Sequence, residues 1–411
     1  MSTRRAGSDL VRLQRRLCES ADLGHVACGG RLPWRPARRG FSSAAGQGAG
    51  AVSHATAPPL QATEAGAKPG LLQVYMKLSK FRLSMLVVST ACAGYALGSP
   101  KHIDWAGMAW TAAGTSAAAF SANAWNQVIE VANDSLMKRT RGRPLPSAAI
   151  SRAHAAAFAT ITGATGLAVL ATQCSELAAV LGAANIGLYT LVYTPLKVRS
   201  PVNTWVGAVV GAIPPLMGWA AATGSLSAGA FPLAAALYFW QMPHFMALAW
   251  MCKEDYRAGG YRMLSLLDAT GRRTAACALR NSFYMLPLGV ATVALGVADD
   301  WFAPFAVAAA APMTVAAAAF WRKPEFQAAR GLFRHSLYLL PAWMAALVAA
   351  RVHVQDQQVR PWLADTVHRV SGASLVQRMR VAGIFPDMSC PSAVYCESEG
   401  RLRRSSRADG R

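Results

Sequence analysis

A chain of 411 residues with 53% hydrophobic and only 15% charged residues could bury a large core, but its apolar residues are gathered into runs near membrane-spanning length. The formal net charge of +21 sits in a leader, in short loops between those runs and in a tail, which argues against a nucleic-acid partner. The eight cysteines form no CxxC pair, so neither a zinc site nor a redox motif is supported. What remains is an all-α, multi-pass protein whose surroundings are a lipid bilayer.

Residues 1–41 hold nine arginines against Asp9, Glu19 and Asp22. They lack a long apolar run and place Leu10, Leu13 and Leu17 on one helical face. This is the profile of an organellar transit peptide rather than a secretory signal, and Arg39-Gly40-Phe41-Ser42-Ser43 resembles a mitochondrial processing site with cleavage after Phe41. Residues 42–73 are expected to form a flexible linker, being rich in Ala, Gly and Pro as far as Gly70. Residues 74–351 form the membrane domain, and 352–411 read as a disordered tail with a short amphipathic stretch near Trp362 to Val381.

Nine apolar segments are expected to span the membrane, at roughly 83–99, 106–132, 153–174, 177–194, 204–223, 229–252, 276–298, 301–321 and 332–351. Lys77, Lys80 and Arg82 begin the count of basic residues, which recur in every second loop: Lys138 to Arg152, Lys197 and Arg199, Lys253 to Arg280, Arg322 to Arg334. That asymmetry puts these loops on one face, the matrix face given a mitochondrial address.

Within the second segment, Asn126, Glu130 and Asp134 are spaced four apart. On a helix they form one stripe of oxygen ligands about 12 Å long, suited to a hard cation such as Mg2+ with phosphate oxygens completing its shell. The basic run Lys138, Arg139, Arg141 and Arg143 follows, and Arg143-Pro144-Leu145-Pro146 is expected to end the helix sharply. An ordinary helix C-terminus, with cations on the dipole and an Asp134–Lys138 pair, accounts for the same residues.

A second constellation, Trp240-Gln241-Met242-Pro243-His244-Phe245, precedes Lys253-Glu254-Asp255-Tyr256-Arg257. His244 lies about two turns inside a membrane helix, where an imidazole must be hydrogen-bonded, charged for a purpose, or bound to something. Glu254 and Asp255 either supply a second carboxylate group for metal or neutralise Lys253 and Arg257. A third group, Tyr193-Thr194-Pro195-Leu196-Lys197, ends the fourth segment, where Lys197 either reaches a diphosphate or snorkels to the interface. Gly211-Ala212-Ile213-Pro214-Pro215 is expected to break the fifth helix near mid-membrane, as a cavity wall or a kinked packing helix.

Together LSKFRLSMLVVST (78–90), NQVIEVANDSLMKRTRGRPLP (126–146), YTPLK (193–197), NTWVGAVVGAIPPLMGWAAATGSL (203–226), WQMPHF and EDYRAGGYRM resemble the haem-modifying, protohaem IX farnesyltransferase branch of the UbiA-type membrane prenyltransferases. The likeness covers residues 74–351. It implies transfer of a farnesyl group from farnesyl diphosphate to haem B, a step of haem A synthesis for cytochrome c oxidase. The alternative within the superfamily is prenylation of an aromatic acid for quinone synthesis.

By the same resemblance, Mg2+ is held by Asn126, Glu130 and Asp134. Arg139, Arg143 and Lys197 neutralise the diphosphate, with Lys138 and Tyr193 also in substrate-binding positions. The residues implied to carry the chemistry are Asn126, Arg139, Arg143 and His244, the histidine through haem iron, a propionate or proton transfer. Glu254 and Asp255 fall where the superfamily has a second Asp-rich metal motif, although that motif usually has more aspartates. Association with a second copy and with proteins of haem A synthesis belongs to the same expectation.

Overall fold

The computed structural model describes residues 70–353 and Gln357. The expected transit peptide, the expected linker as far as residue 69, and most of the tail, with Cys390 and Cys396, lie outside the described residues. Within them the chain is all-α, and β pairing amounts to one isolated bridge between Ala298 and Arg351.

Helix α1 (Leu71–Leu78) begins inside the stretch expected as linker and leads into α2 (Phe81–Gly98). Between them Lys80 takes a left-handed backbone with φ 47°, uncommon for any residue but glycine. The next three helices start on side-chain caps that satisfy an N-terminal N–H each. Asp104 caps α3 (Trp105–Leu136), Ser151 caps α4 (Arg152–Gln173) and Ser175 caps α5 (Glu176–Gly187). A π-helical turn, Leu188–Tyr193, joins α5 to α6 (Thr194–Arg199). Then come α7 (Asn203–Thr223), α8 (Phe231–Met251), two short helices α9 (Lys253–Ala258) and α10 (Leu264–Leu267), and finally α11 (Arg272–Ala294), α12 (Phe302–Arg322) and α13 (Phe326–Ala349).

Each of the nine expected apolar segments lies on a helix of the described residues, but six stretches are long and apolar enough to cross a membrane. These are α2, α4, the continuous stretch Glu176–Arg199, α7, α12 and α13. The count of nine is therefore not confirmed. The long helices α3, α8 and α11 are not among them; α3 is rich in Gly, Ser and Thr and carries Asn126, Glu130 and Asp134, α8 carries Gln241 and His244, and α11 carries Arg280 and Asn281. A hydropathy average does not distinguish a polar group turned inward from one facing lipid.

Close packing uses glycines where backbones cross, as expected in lipid. A Cβ added to Gly94 on α2 would stand 2.0 Å from the Pro215 carbonyl oxygen, and one on Gly218 of α7 would stand 1.8 Å from the Ala91 carbonyl oxygen. The expected break at Pro214 and Pro215 does not occur. Both prolines are buried inside a continuous α7, and α7 is a packing helix laid against α2. On the other side, α8, α11, α12 and α13 share a core containing Met242, Met246, Met285, Phe302, Phe320 and Trp343. Phe302 and Trp343 meet there edge to face with centroids 5.0 Å apart.

Asp268 organises the turn before α11. Its Oδ2 accepts from the Thr274 backbone N–H at 2.8 Å and from the Thr274 hydroxyl at 2.9 Å, while Oδ1 accepts from the Gly271 N–H at 3.0 Å and the Thr270 hydroxyl at 3.2 Å. Burial by itself pushes this carboxyl up, but the donors of Thr274, Thr270 and Gly271 outweigh it and hold the group below its usual range. Asp268→Ala leaves these donors unmet and is expected to lose about 2–3 kcal/mol of stability, measurable as thermal unfolding in detergent at pH 7. A depressed folded-state pKa contributes stability above the unfolded value and loses it as pH falls through the folded one. The gap between wild type and variant should therefore narrow in acid.

Candidate active site

Asn126, Glu130 and Asp134 lie along the last turns of α3 and are 0%, 4% and 0% exposed. Each faces a different basic side chain. Lys80 donates to Asn126 Oδ1 at 3.0 Å, and Arg143 Nη1 donates to Asp134 Oδ2 at 2.8 Å. Lys197 stands 2.9 Å from Glu130 Oε1 and 3.2 Å from Oε2. The shorter of those two contacts is an ion pair, and the aligned hydrogen bond is the one to Oε2. These basic groups come from separate elements: the α1–α2 junction, the turns after α3, and α6. Leaving any such buried charge alone would be strongly destabilising, so the stripe holds these elements in register.

The π-helical turn sets the α6 side of the site. The Thr194 N–H reaches the Tyr189 carbonyl five residues back, and Pro195, lacking an N–H, follows at the start of α6. This wider turn delivers Thr194, whose hydroxyl accepts from Asn126 Nδ2 at 3.1 Å and donates to the Tyr189 carbonyl at 2.9 Å. π-Helical turns inside α-helices are frequent at functional sites.

A cap of residues after α8 closes over the same end. Asn133 donates to the Gly259 carbonyl at 2.8 Å, the Arg262 N–H donates to the Lys197 carbonyl at 2.7 Å, and Asn203 donates to the Arg262 carbonyl at 3.0 Å. Lys197 lies 4.7 Å from the Tyr193 ring centroid and 5.9 Å from that of Tyr261, while Arg139 lies 6.0 Å from that of Tyr256. Burial, then the carboxylates of Glu130 and Asp134, raise the Tyr261 hydroxyl well above its usual range and keep it protonated. Burial, then the neighbouring charges of Arg143 and Lys197, lower Lys80 to about 7.

The structure thus gathers Asn126, Glu130, Asp134, Arg143, Lys197 and Tyr193, with Arg139 half-buried beside Tyr256. Lys138 stands exposed. Asp134 pairs with Arg143 rather than with Lys138, the partner it would have at an ordinary helix end, because α3 stops at Leu136, ahead of Pro144, and the chain then turns Arg143 back. Glu254 is exposed and paired with Arg257, and among the described residues neither it nor Asp255 joins the α3 stripe by a hydrogen bond or ion pair. No group of three or more His, Cys, Asp or Glu side chains gathers as a metal site among the described residues. His244 occupies a separate place between α8 and α13, its Nδ1 2.8 Å from Ser336 Oγ.

Sequence reasoning did not single out Lys80, Thr194, Tyr261 or Ser336 for these contacts. Lys80 had a signal, since it sits in the LSKFRLSM stretch already noted. Ser336 had none.

The donor set fits a hard cation. Asn126, Glu130 and Asp134 offer oxygen atoms alone, the ligand type Mg2+ takes. Asp134 Oδ1 is buried without a hydrogen-bond partner among the described residues, an unusual state for a carboxylate oxygen and one that a bound cation would satisfy.

The UbiA prenyltransferase family model matches residues 87–355. The chain belongs to that family. This UbiA family member is 49% identical over 321 residues to the mitochondrial protoheme IX farnesyltransferase of Arabidopsis thaliana, covering 78% of the chain and 74% of that protein. It is 44% identical over 283 residues to the human protein of the same name, covering 69% of the chain and 62% of the relative. A UbiA homologue from Archaeoglobus fulgidus, solved bound to GPP and Mg2+, superposes with a TM-score of 0.50 at 14% identity, covering 67% of the chain and all of that structure. At that identity the likeness concerns the fold.

Proposed function

We propose that this protein transfers the farnesyl group of farnesyl diphosphate to a vinyl group of protohaem IX, forming haem O in the mitochondrial inner membrane. The observation that carries this reading is the buried stripe Asn126, Glu130 and Asp134 faced by Lys80, Lys197 and Arg143, in a chain so similar to proteins named for that reaction. Those names disfavour the alternative of an aromatic acid acceptor.

Two carboxylates face Arg143, Lys197 and Lys80, whose charged form burial and the neighbouring cations disfavour, and a diphosphate would supply negative charge that favours it. Asn126, Glu130 and Asp134 would hold Mg2+, which when bound draws charge from the leaving diphosphate oxygens. The guanidinium of Arg143 and the ammonium of Lys197 then neutralise phosphate oxygens as the bond between farnesyl C1 and oxygen ionises. Burial strengthens each of these interactions relative to water. The apolar helices shield the allylic cation from premature quenching. The haem vinyl group attacks that cation, and water adds to the resulting carbocation with loss of a proton, giving the hydroxyethylfarnesyl side chain.

The reading includes residues 1–41 as a mitochondrial transit peptide, a linker from 42 that ends before α1 at Leu71, nine membrane crossings, and the diphosphate end facing the matrix. Incubating membranes containing the protein with haem B, farnesyl diphosphate and Mg2+ is expected to yield haem O, detected by chromatography and mass. Absence of haem O from a folded preparation would reject the reading, and formation of a prenylated aromatic acid instead would establish the alternative.

A further inference from the structure

His244 stands apart from the diphosphate chemistry, and its surroundings are specific. Its ring stacks with Trp240, with centroids 4.9 Å apart and planes at 22°, and with Phe333, at 4.7 Å and 29°. Two aromatic rings therefore pack against the imidazole, and its nitrogens lie along the ring edge.

One edge nitrogen, Nδ1, lies 2.8 Å from Ser336 Oγ. That hydroxyl has a single proton, and Ser336 Oγ donates it to the Phe333 carbonyl at 2.7 Å. The proton between Nδ1 and Oγ must then come from the imidazole. Ser336 is itself fully buried, and its carbonyl is held by the Trp240 indole N–H at 2.6 Å. The acceptor, the hydroxyl and one stacking ring thus belong to a single bonded unit across α8 and α13. A neutral ring protonated at Nδ1 carries its lone pair on Nε2. Among the described residues Nε2 makes no hydrogen bond, and the side chain is only half-buried.

We propose that His244 ligates the iron of the porphyrin substrate through Nε2, and that Ser336 is the positioning residue that fixes its tautomer. The inference rests on the haem reading above and chooses among the roles open to this histidine. A propionate needs a donor, and Nε2 of this tautomer has no proton to donate. An iron centre needs an in-plane lone pair at a ring that cannot turn away, which the two stacked aromatic rings and the Ser336 bond provide. Groups that orient a ligating histidine through its other nitrogen typically change metal affinity by 10–100-fold when removed.

The test uses the purified full chain in detergent, titrated with ferric haem B and followed by absorbance and electron paramagnetic resonance. Wild type should show a histidine-ligated signal. His244→Gly should lose that signal and regain it with added imidazole, and Ser336→Ala should weaken haem binding by about tenfold with an altered ligand field, while Ser336→Thr, which keeps the hydroxyl, should retain the wild-type spectrum. A His244→Gly spectrum identical to that of wild type would overturn the ligation, and a Ser336→Ala spectrum and affinity identical to wild type would overturn the positioning role. Direct binding of pyrophosphate with Mg2+, which reads the other half of the site without turnover, should be unchanged in these variants. The two levels separate cleanly: wild type that makes haem O while His244→Gly keeps the native spectrum sinks the iron ligand alone, whereas wild type that makes no haem O sinks the functional reading.

Discussion

Asp134→Asn is expected to lower the rate of haem O formation at limiting farnesyl diphosphate by about 10²–10³-fold, the loss typical of removing one preorganised group that stabilises transition-state charge. Asparagine keeps the volume and one oxygen but removes the charge. At wild type, Oδ2 holds Arg143 at 2.8 Å and Oδ1 is buried without a hydrogen-bond partner, so the substitution weakens both the guanidinium's position and the candidate cation ligand. The dependence on Mg2+ should move to higher concentration in the same experiment. Asparagine is preferable to alanine here, because alanine would strand Arg143 in a buried site at a cost of about 3–5 kcal/mol and confuse folding with catalysis. An Asp134→Asn protein with unchanged thermal unfolding and an unchanged rate across Mg2+ concentrations would remove Asp134 from the site.

Gly218→Ala carries the largest expected effect on the fold. The new methyl would lie 1.8 Å from the Ala91 carbonyl oxygen, 2.7 Å from its carbon and 2.8 Å from the Tyr95 nitrogen. All three atoms are backbone, so no rotamer change relieves the contact and α7 must move away from α2. Overpacking of this kind costs about 1–3 kcal/mol and sometimes more; the upper end is expected here, read as a lower unfolding temperature in detergent. Activity should fall with it, because α2 begins next to Lys80, the partner of Asn126. Gly331→Ala on α13 is the control, since nothing lies within 4 Å of the added methyl and alanine favours helix over glycine. Its stability should be equal to or above that of wild type. Equal loss in both variants would show that the α2–α7 crossing is not the cause.

Two features show how far spacing along the chain can be read. Asn126, Glu130 and Asp134 share a face because helical geometry repeats nearly every fourth residue, and no tertiary information is needed to see it. Helix termination was less legible. The prolines at 144 and 146 looked like the stop for α3, but the helix ends at Leu136, and Pro214 and Pro215 looked like a break that α7 absorbs without interruption. Neighbouring helices re-satisfy backbone groups that a proline frees in lipid, so a local breaker is not decisive there. For Glu254, the local reading of neighbouring charges is the one the geometry matches: it pairs with Arg257 three residues on, as an exposed helical acid does.

By itself the sequence determined the class of the protein, an all-helical membrane chain, and the oxygen stripe on α3 with a basic run beyond it. It did so because hydropathy and helical periodicity act over one or two turns. Which basic group meets which oxygen was decided by tertiary structure alone. Lys80 reaches Asn126 from 46 residues away, Lys197 reaches Glu130 from 67, and Ser336 reaches His244 from 92. Those contacts depend on how α2, α6 and α13 pack against α3 and α8. That packing rests on glycines that let backbones touch, on a π-helical turn that re-aims Thr194, and on the penalty for leaving a buried charge without its partner.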